Sequence, residues 1–208
     1  VGRKIAPQGL VDEGIPPLPK SIVVDGITIP TDVVERRYKP SWQLVPQVIK
    51  DQRKLRHDPL LPGISVSHPA GTAGTLGCIV YDRQEGRPHI LSNWHVLHGE
   101  QGRLGDTVVQ PGPFDDNRIE SNGCGVLVRS HLGLAGDCAI ARIEGRGVDP
   151  EILDLSVRVA RLGRPELGDR VVKSGRTTGV TWGIVTRIET TVKLSYGDGV
   201  GTKRIGGF

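Results

Sequence analysis

Methionine is absent from this 208-residue chain, aromatic residues are few, and its three cysteines include no C-x-x-C pair. Long apolar runs are missing as well. No stretch approaches the roughly 18 to 20 consecutive apolar residues of a membrane-spanning helix. The opening Val1-Gly2-Arg3-Lys4 is not followed by the apolar core of a signal peptide. A membrane is therefore not expected among the partners. Cys78, Cys124 and Cys138 cannot all pair within the chain, and they lack the paired spacing of a zinc site. No metal and no cofactor are expected. The three lie in or beside apolar strand-like runs, which suits buried thiols in a reducing compartment, so the expected location is cytoplasmic. Three Trp, three Tyr and two Phe offer no visible platform for stacking bases. The formal net charge of +4 permits an acidic partner without requiring one, and nucleic acid is not expected. The lack of any methionine, even at the first position, leads to the expectation that polypeptide lies outside these residues.

Turn chemistry is abundant, with 29 Gly and 15 Pro. Prolines crowd residues 1–60 and disfavour long helices there. Ser21–Thr28 reads as a hairpin around Asp25-Gly26, and Thr31–Glu35 as a short strand or helical turn. Arg36, Arg37, Lys39, Lys50, Arg53, Lys54 and Arg56 form a basic stretch that reads as a solvated connector or as a patch for an acidic partner.

From Gly71 onward, short apolar runs recur between Gly, Pro, Asp and Asn. They are Thr75–Tyr81, a run ending on His95, Asp106–Gln110, Gly123–Val128, Asp137–Ile143, Val157–Ala160, Arg170–Lys173 and a longer run from Trp182 to Tyr196. Short strands at this spacing, without a helical stripe between them, predict an all-β barrel or sandwich.

Two residues carry candidate chemistry. His95 is expected where a strand runs out at the rim of a sheet, and Asp137 opens another strand. A carboxylate there can accept the imidazole Nδ1 proton, fix the tautomer and balance the imidazolium formed during proton transfer. A purely structural His and Asp at strand ends remains open on these grounds.

The wording around them is more specific. His89-Ile90-Leu91 leading into Ser92-Asn93-Trp94-His95-Val96-Leu97 resembles the histidine motif of trypsin-like serine proteases. Asp137-Cys138-Ala139-Ile140-Ala141-Arg142-Ile143 resembles their aspartate motif. Leu167–Val172 with Gly175–Thr186 is similar to the start of the second barrel in the intracellular and HtrA-like branches. The resemblance spans about residues 71–186, in the family's order. It implies a chymotrypsin-type double six-stranded β-barrel, with His95 as general base and then acid, Asp137 as its orienting partner, and a protein or peptide as substrate. On this reading residues 1–60 are a Pro-rich N-terminal accessory segment and basic connector, 61–160 the first barrel, and 161–208 the start of a second, incomplete one.

The family's nucleophile stands in a Gly-Asp-Ser-Gly turn, and none of the ten serines has that context. Ser195 sits within Val192-Lys193-Leu194-Ser195-Tyr196, Ser174 precedes the Gly-rich turn, and Ser92 belongs to the histidine motif. The expectation is that the serine lies outside the 208 residues, on a C-terminal segment or second chain that completes the barrel. The alternatives are an inactive protease-like scaffold that binds peptides or partner proteins, and a basic β module for a polyanion.

Overall fold

The computed structural model describes residues 19–24, 26–30 and 51–206. The chain divides into two compact units, Val1–Arg37 and Tyr38–Phe208. In the first unit, β1 (Ser21–Val24) pairs antiparallel with β2 (Ile27–Pro30), the hairpin the sequence predicts, with Gly26 in the left-handed backbone conformation its tight turn needs. Asp25 of that turn, the Thr31–Glu35 run, and Arg36, Arg37, Lys39 and Lys50 lie outside the described residues.

The described part of the second unit begins with a 3-10 turn at Gln52–Lys54, followed by β3 (Ser65–Val66), β4 (Gly74–Thr75), β5 (Cys78–Tyr81) and β6 (Pro88–Ser92). A single helical turn, α1 (Trp94–Leu97), then leads to β7 (Thr107–Val109) and a second turn, α2 (Ile119–Asn122). The long strands β8 (Gly123–Gly133) and β9 (Gly136–Ile143) complete an antiparallel sheet of order β5-β6-β9-β8-β7. β3 pairs with β4, Ser67 exchanges hydrogen bonds of 3.0 Å with Val109 at the β7 edge, and Gly77 N donates to Leu91 O at 2.9 Å. The ladder thus crosses from β5 to β7 and returns through β3 and β4.

Alternating side chains decide which face is dry. Ile79, Ile90, Val108, Leu127, Ala139 and Ala141 turn inward from five strands and meet Leu60, Ile64, Val66, Leu76 and Leu97 in one core. Cys124 is buried in that core as well, and burial pushes its thiol up to about 12. All three cysteines are free thiols.

The chain continues through β10 (Glu151–Ile152), β11 (Val157–Arg158), β12 (Arg170–Gly175), β13 (Gly179–Ile184), β14 (Val192–Ser195) and β15 (Thr202–Ile205), which pair as three separate hairpins. The single long run expected from Trp182 to Tyr196 is two strands: Val185 still exchanges hydrogen bonds with Gly168 and Asp169 at the end of the β12–β13 ladder, and residues 186–191 pair with neither hairpin. Apolar composition alone did not show that break, because Ile188 and Val192 continue the pattern across it. With few helices among the described residues, the architecture is nearly all-β. No helix among them is long and apolar enough to cross a membrane.

Part of the basic connector is not solvated. Arg53 is buried, donating from Nε to Gly175 O at 3.2 Å, from one terminal nitrogen to Ser174 Oγ at 2.8 Å, and from the other to the Asp154 carboxylate. Its five fixed donors suit a site where three acceptors converge, which a charge-run reading of the sequence cannot detect.

Candidate active site

His95 does not end a strand. β6 stops at Ser92, and Asn93 turns the chain, at φ −74° and ψ 154°, into α1, which carries His95. The free amides of such a turn need acceptors. Asn93 makes no side-chain cap, and Asp137 takes its place from β9: its Oδ1 accepts from Trp94 N at 2.6 Å and from His95 N at 3.4 Å. A remote carboxylate therefore sets the helical turn, a long-range contact invisible in the local sequence. The β6–β9 register, with Ser92 opposite Ala139, brings the two ends together. Asn93 Nδ2 adds a hydrogen bond to Asp137 O at 3.0 Å.

The same carboxylate reaches the ring. His95 Nδ1 stands 2.6 Å from Asp137 Oδ2, with the Asp137 side chain 9% exposed and that of His95 29% exposed. An ionised carboxylate is acceptor-only, so Nδ1 carries the proton and the neutral ring keeps its lone pair on Nε2. Burial pushes the Asp137 carboxyl up. The His95 hydrogen bond and charge, then the Tyr196 hydroxyl and the Trp94 amide, outweigh it and hold the group below the usual carboxylate range. The structure thus brings both predicted residues together as a hydrogen-bonded pair.

His95 lines an open cleft of about 440 Å³ with Thr72–Thr75, Glu100, Thr177 and Tyr196 among its walls. Gly74 permits the close approach of β4, since a Cβ there would run into the Val96 side chain on α1. Thr177 belongs to the β12–β13 turn, which the neighbouring Arg176 fastens to β4 and to the loop between β7 and α2. Arg176 N donates to Thr75 Oγ1 at 2.9 Å, and its guanidinium makes a two-pronged pair with Asp115, Nε to Oδ2 at 2.9 Å. It also lies over the Phe114 ring at 5.4 Å.

A second His–Asp pair is chemically different. His68 Nδ1 accepts from Ala70 N at 3.1 Å, which leaves the proton on Nε2, 3.1 Å from Asp106 Oδ2. Both nitrogens are used within the fold and the residue is buried, as expected of a structural histidine.

Two of the serines set aside from the sequence have structural partners: Ser92 Oγ donates to Thr75 O at 2.7 Å, and Ser174 Oγ accepts from Arg53 at 2.8 Å. Among the described residues, no cluster of His, Cys, Asp and Glu could hold a metal ion. Sequence reasoning missed Tyr196, whose hydroxyl donates to Asp137 Oδ2 at 2.9 Å, and Arg176. Arg176 lies within the Gly175–Thr186 stretch, whose wording carries no sign of its Asp115 partner, and Tyr196 stands in no motif, although it adjoins a Gly-Asp-Gly turn that marks a hairpin tip.

No family model matches the chain, and no curated protein matches it. Solved structures do. A Nocardiopsis protease superposes with a TM-score of 0.51 at 20% identity, over 70% of this chain and 67% of that one. Protease A of Thermobifida fusca superposes with a TM-score of 0.50 at 20% identity, over 71% and 67%. The fold is that of the chymotrypsin-like serine proteases.

Proposed function

We propose that the chain is part of a trypsin-like serine endopeptidase of the intracellular, HtrA-like kind, in which His95 transfers the proton and Asp137 orients it. The observation that carries this reading is the 2.6 Å contact between His95 Nδ1 and Asp137 Oδ2 at the wall of a cleft in a protease-like fold. With Nδ1–H held by the carboxylate, Nε2 takes the proton of a serine hydroxyl as it attacks a peptide carbonyl. It then returns that proton to the leaving amine, Asp137 balances the imidazolium, and water hydrolyses the acyl-enzyme.

The serine and the oxyanion-binding amides are assigned to polypeptide outside the 208 residues, a C-terminal segment or second chain that completes the second barrel. The side chains that such a segment would cover are on the surface, Trp182 at 74% and Ile184 at 61% exposure. Protein or peptide is the substrate, with no cofactor, metal, membrane or nucleic acid taking part, and the free thiols suit the cytoplasm.

Co-expression of the 208 residues with the adjoining coding sequence, followed by peptide hydrolysis and labelling with a serine-directed phosphonate, tests the reading. The completed protein is expected to cleave and to be labelled, the 208 residues alone to be inert, and His95→Ala to lower kcat/KM by several orders of magnitude. Unchanged turnover in His95→Ala overturns the assignment. A completed protein that binds peptides but neither cleaves nor labels supports the inactive scaffold, a reading that the absence of a Gly-Asp-Ser-Gly turn from the sequence favours.

A further inference from the structure

Tyr196 immediately follows β14, about sixty positions from Asp137 in sequence, yet its hydroxyl donates to the carboxylate oxygen that holds His95. Oδ2 accepts both His95 Nδ1 at 2.6 Å and Tyr196 Oη at 2.9 Å, while Oδ1 accepts the Trp94 and His95 amides. A carboxylate offers about four lone-pair directions. Four donors surround this one, so its plane cannot turn without breaking hydrogen bonds. Three of the donors come from the segment that carries the histidine, and the fourth comes from a different hairpin.

The ring of Tyr196 is placed as tightly as its hydroxyl. It meets Trp94 edge-on with centroids 6.1 Å apart and planes at 88°, and stands 6.1 Å from the His95 ring at 50°. What holds it there is the docking of the β14–β15 hairpin. Ile205 on β15 is fully buried, and Gly206 N donates to Gly133 O at 3.4 Å beside the β8–β9 turn. Position 206 is closed to any larger residue, since a Cβ would run into the Leu134 carbonyl. The β8–β9 hairpin that β15 contacts also carries Asp137, so docking and hydroxyl share one platform.

We propose that Tyr196 is a positioning residue of the His95–Asp137 pair, locking the Asp137 carboxylate in the plane that receives Nδ1–H and making the pair's alignment conditional on docking of the β14–β15 hairpin. The proposal rests on the proton-transfer reading of that pair for its catalytic meaning, and on the geometry alone for the coupling. The phenol O–H also competes with the imidazole N–H for charge on one oxygen, and so tunes how tightly the ring is held.

The test is side-chain NMR on the whole 208-residue chain, with histidine nitrogens and aspartate carboxyl carbons labelled. Tyr196→Phe keeps the ring and removes the donor. Its expected result is a moved His95 Nδ1–H resonance and an Asp137 acid midpoint raised above the parental one, because one donor to the charged form is gone. Tyr81→Phe, an exposed tyrosine on β5, is expected to change neither. Ile205→Ala, which loosens the hairpin while keeping the hydroxyl, is expected to reproduce the Tyr196→Phe spectrum. Backbone amide spectra identify any variant that does not fold, in which case Ile205→Val replaces Ile205→Ala. A folded Tyr196→Phe chain with the parental resonance and midpoint overturns the positioning role. A folded Ile205 variant with the parental resonance overturns the dependence on docking. Neither readout needs turnover, so a completed protein without peptidase activity would remove the protease reading and leave this coupling in place.

Discussion

Ile90 on β6 and Ile184 on β13 are the same side chain in the same extended backbone, yet the first is fully buried and the second is 61% exposed. The difference is in what lies opposite each strand. β6 has a hydrogen-bonded neighbour on both sides and a ladder that curls back through β3 and β4, so its inward face meets other inward faces. β13 has one partner, β12, and a two-stranded ribbon has too little surface to bury its own apolar side chains. The third hairpin is intermediate. β14–β15 is shorter still, with four-residue strands against six, but Ile205 is fully buried, Gly206 N bonds Gly133 O beside the β8–β9 turn, and Tyr196 reaches Asp137. A hairpin here contributes to the candidate site through anchoring contacts and not through a core of its own.

The contact most able to break this contrast is the Arg176–Asp115 pair, which joins the β12–β13 turn to the loop between β7 and α2 with side chains 9% and 3% exposed. Arg176→Ala leaves a buried carboxylate without its partner and is expected to cost about 3–5 kcal/mol, read as a lower urea midpoint. Replacing both partners, as Arg176→Met with Asp115→Leu, is expected to recover most of that loss. A single variant as stable as the parent would show that the turn is held by Arg53 and Thr75 alone.

A matched pair of truncations sharpens the comparison. Leu127→Ala in the core is expected to cost about 2–5 kcal/mol. Ile184→Ala on the open hairpin is expected to fall within about 0.5 kcal/mol in the 208-residue chain. In a protein completed by further polypeptide, Ile184→Ala is expected to become measurably destabilising, since a covering segment would bury it. Equal effects in the short and completed proteins would refute the covered-face reading.

The smallest effect is a pH slope. The folded Asp137 carboxyl lies below its unfolded value of about 3.9, so its contribution is fully present above that pH and is lost as pH falls through the folded value. Urea midpoints measured downward from about pH 5 should therefore decline less steeply in Asp137→Asn than in the parent. An identical slope would mean that Asp137 gains no more stabilisation in the folded chain than in the unfolded one.

Much of the first sheet is legible in the sequence because its strands alternate inward and outward residues between clear turn signals. The Asp137–Ile143 run coincides with β9 to within one residue, and Gly123–Val128 opens β8. The histidine and aspartate motifs were readable as words, and His95 and Asp137 are in contact. The helical turn under His95 was not readable, because its capping group comes from β9. Trp182 opens an apolar run in the sequence, and exposure of one face of β13 is set by the strand's missing neighbours, about which its own residues carry no signal. Arg53 read as one charge in a basic stretch, and only the folded chain brings Ser174, Gly175 and Asp154 around it.

The sequence by itself determined the strand class, most of the turn positions and the candidate pair His95 and Asp137, because periodicity and side-chain type are local properties. Only the tertiary structure decided which donors share the Asp137 carboxylate, which hairpins are anchored and which faces stay open. Hydrogen-bond partners and burial depend on residues tens of positions apart meeting in space, and no local pattern encodes that meeting.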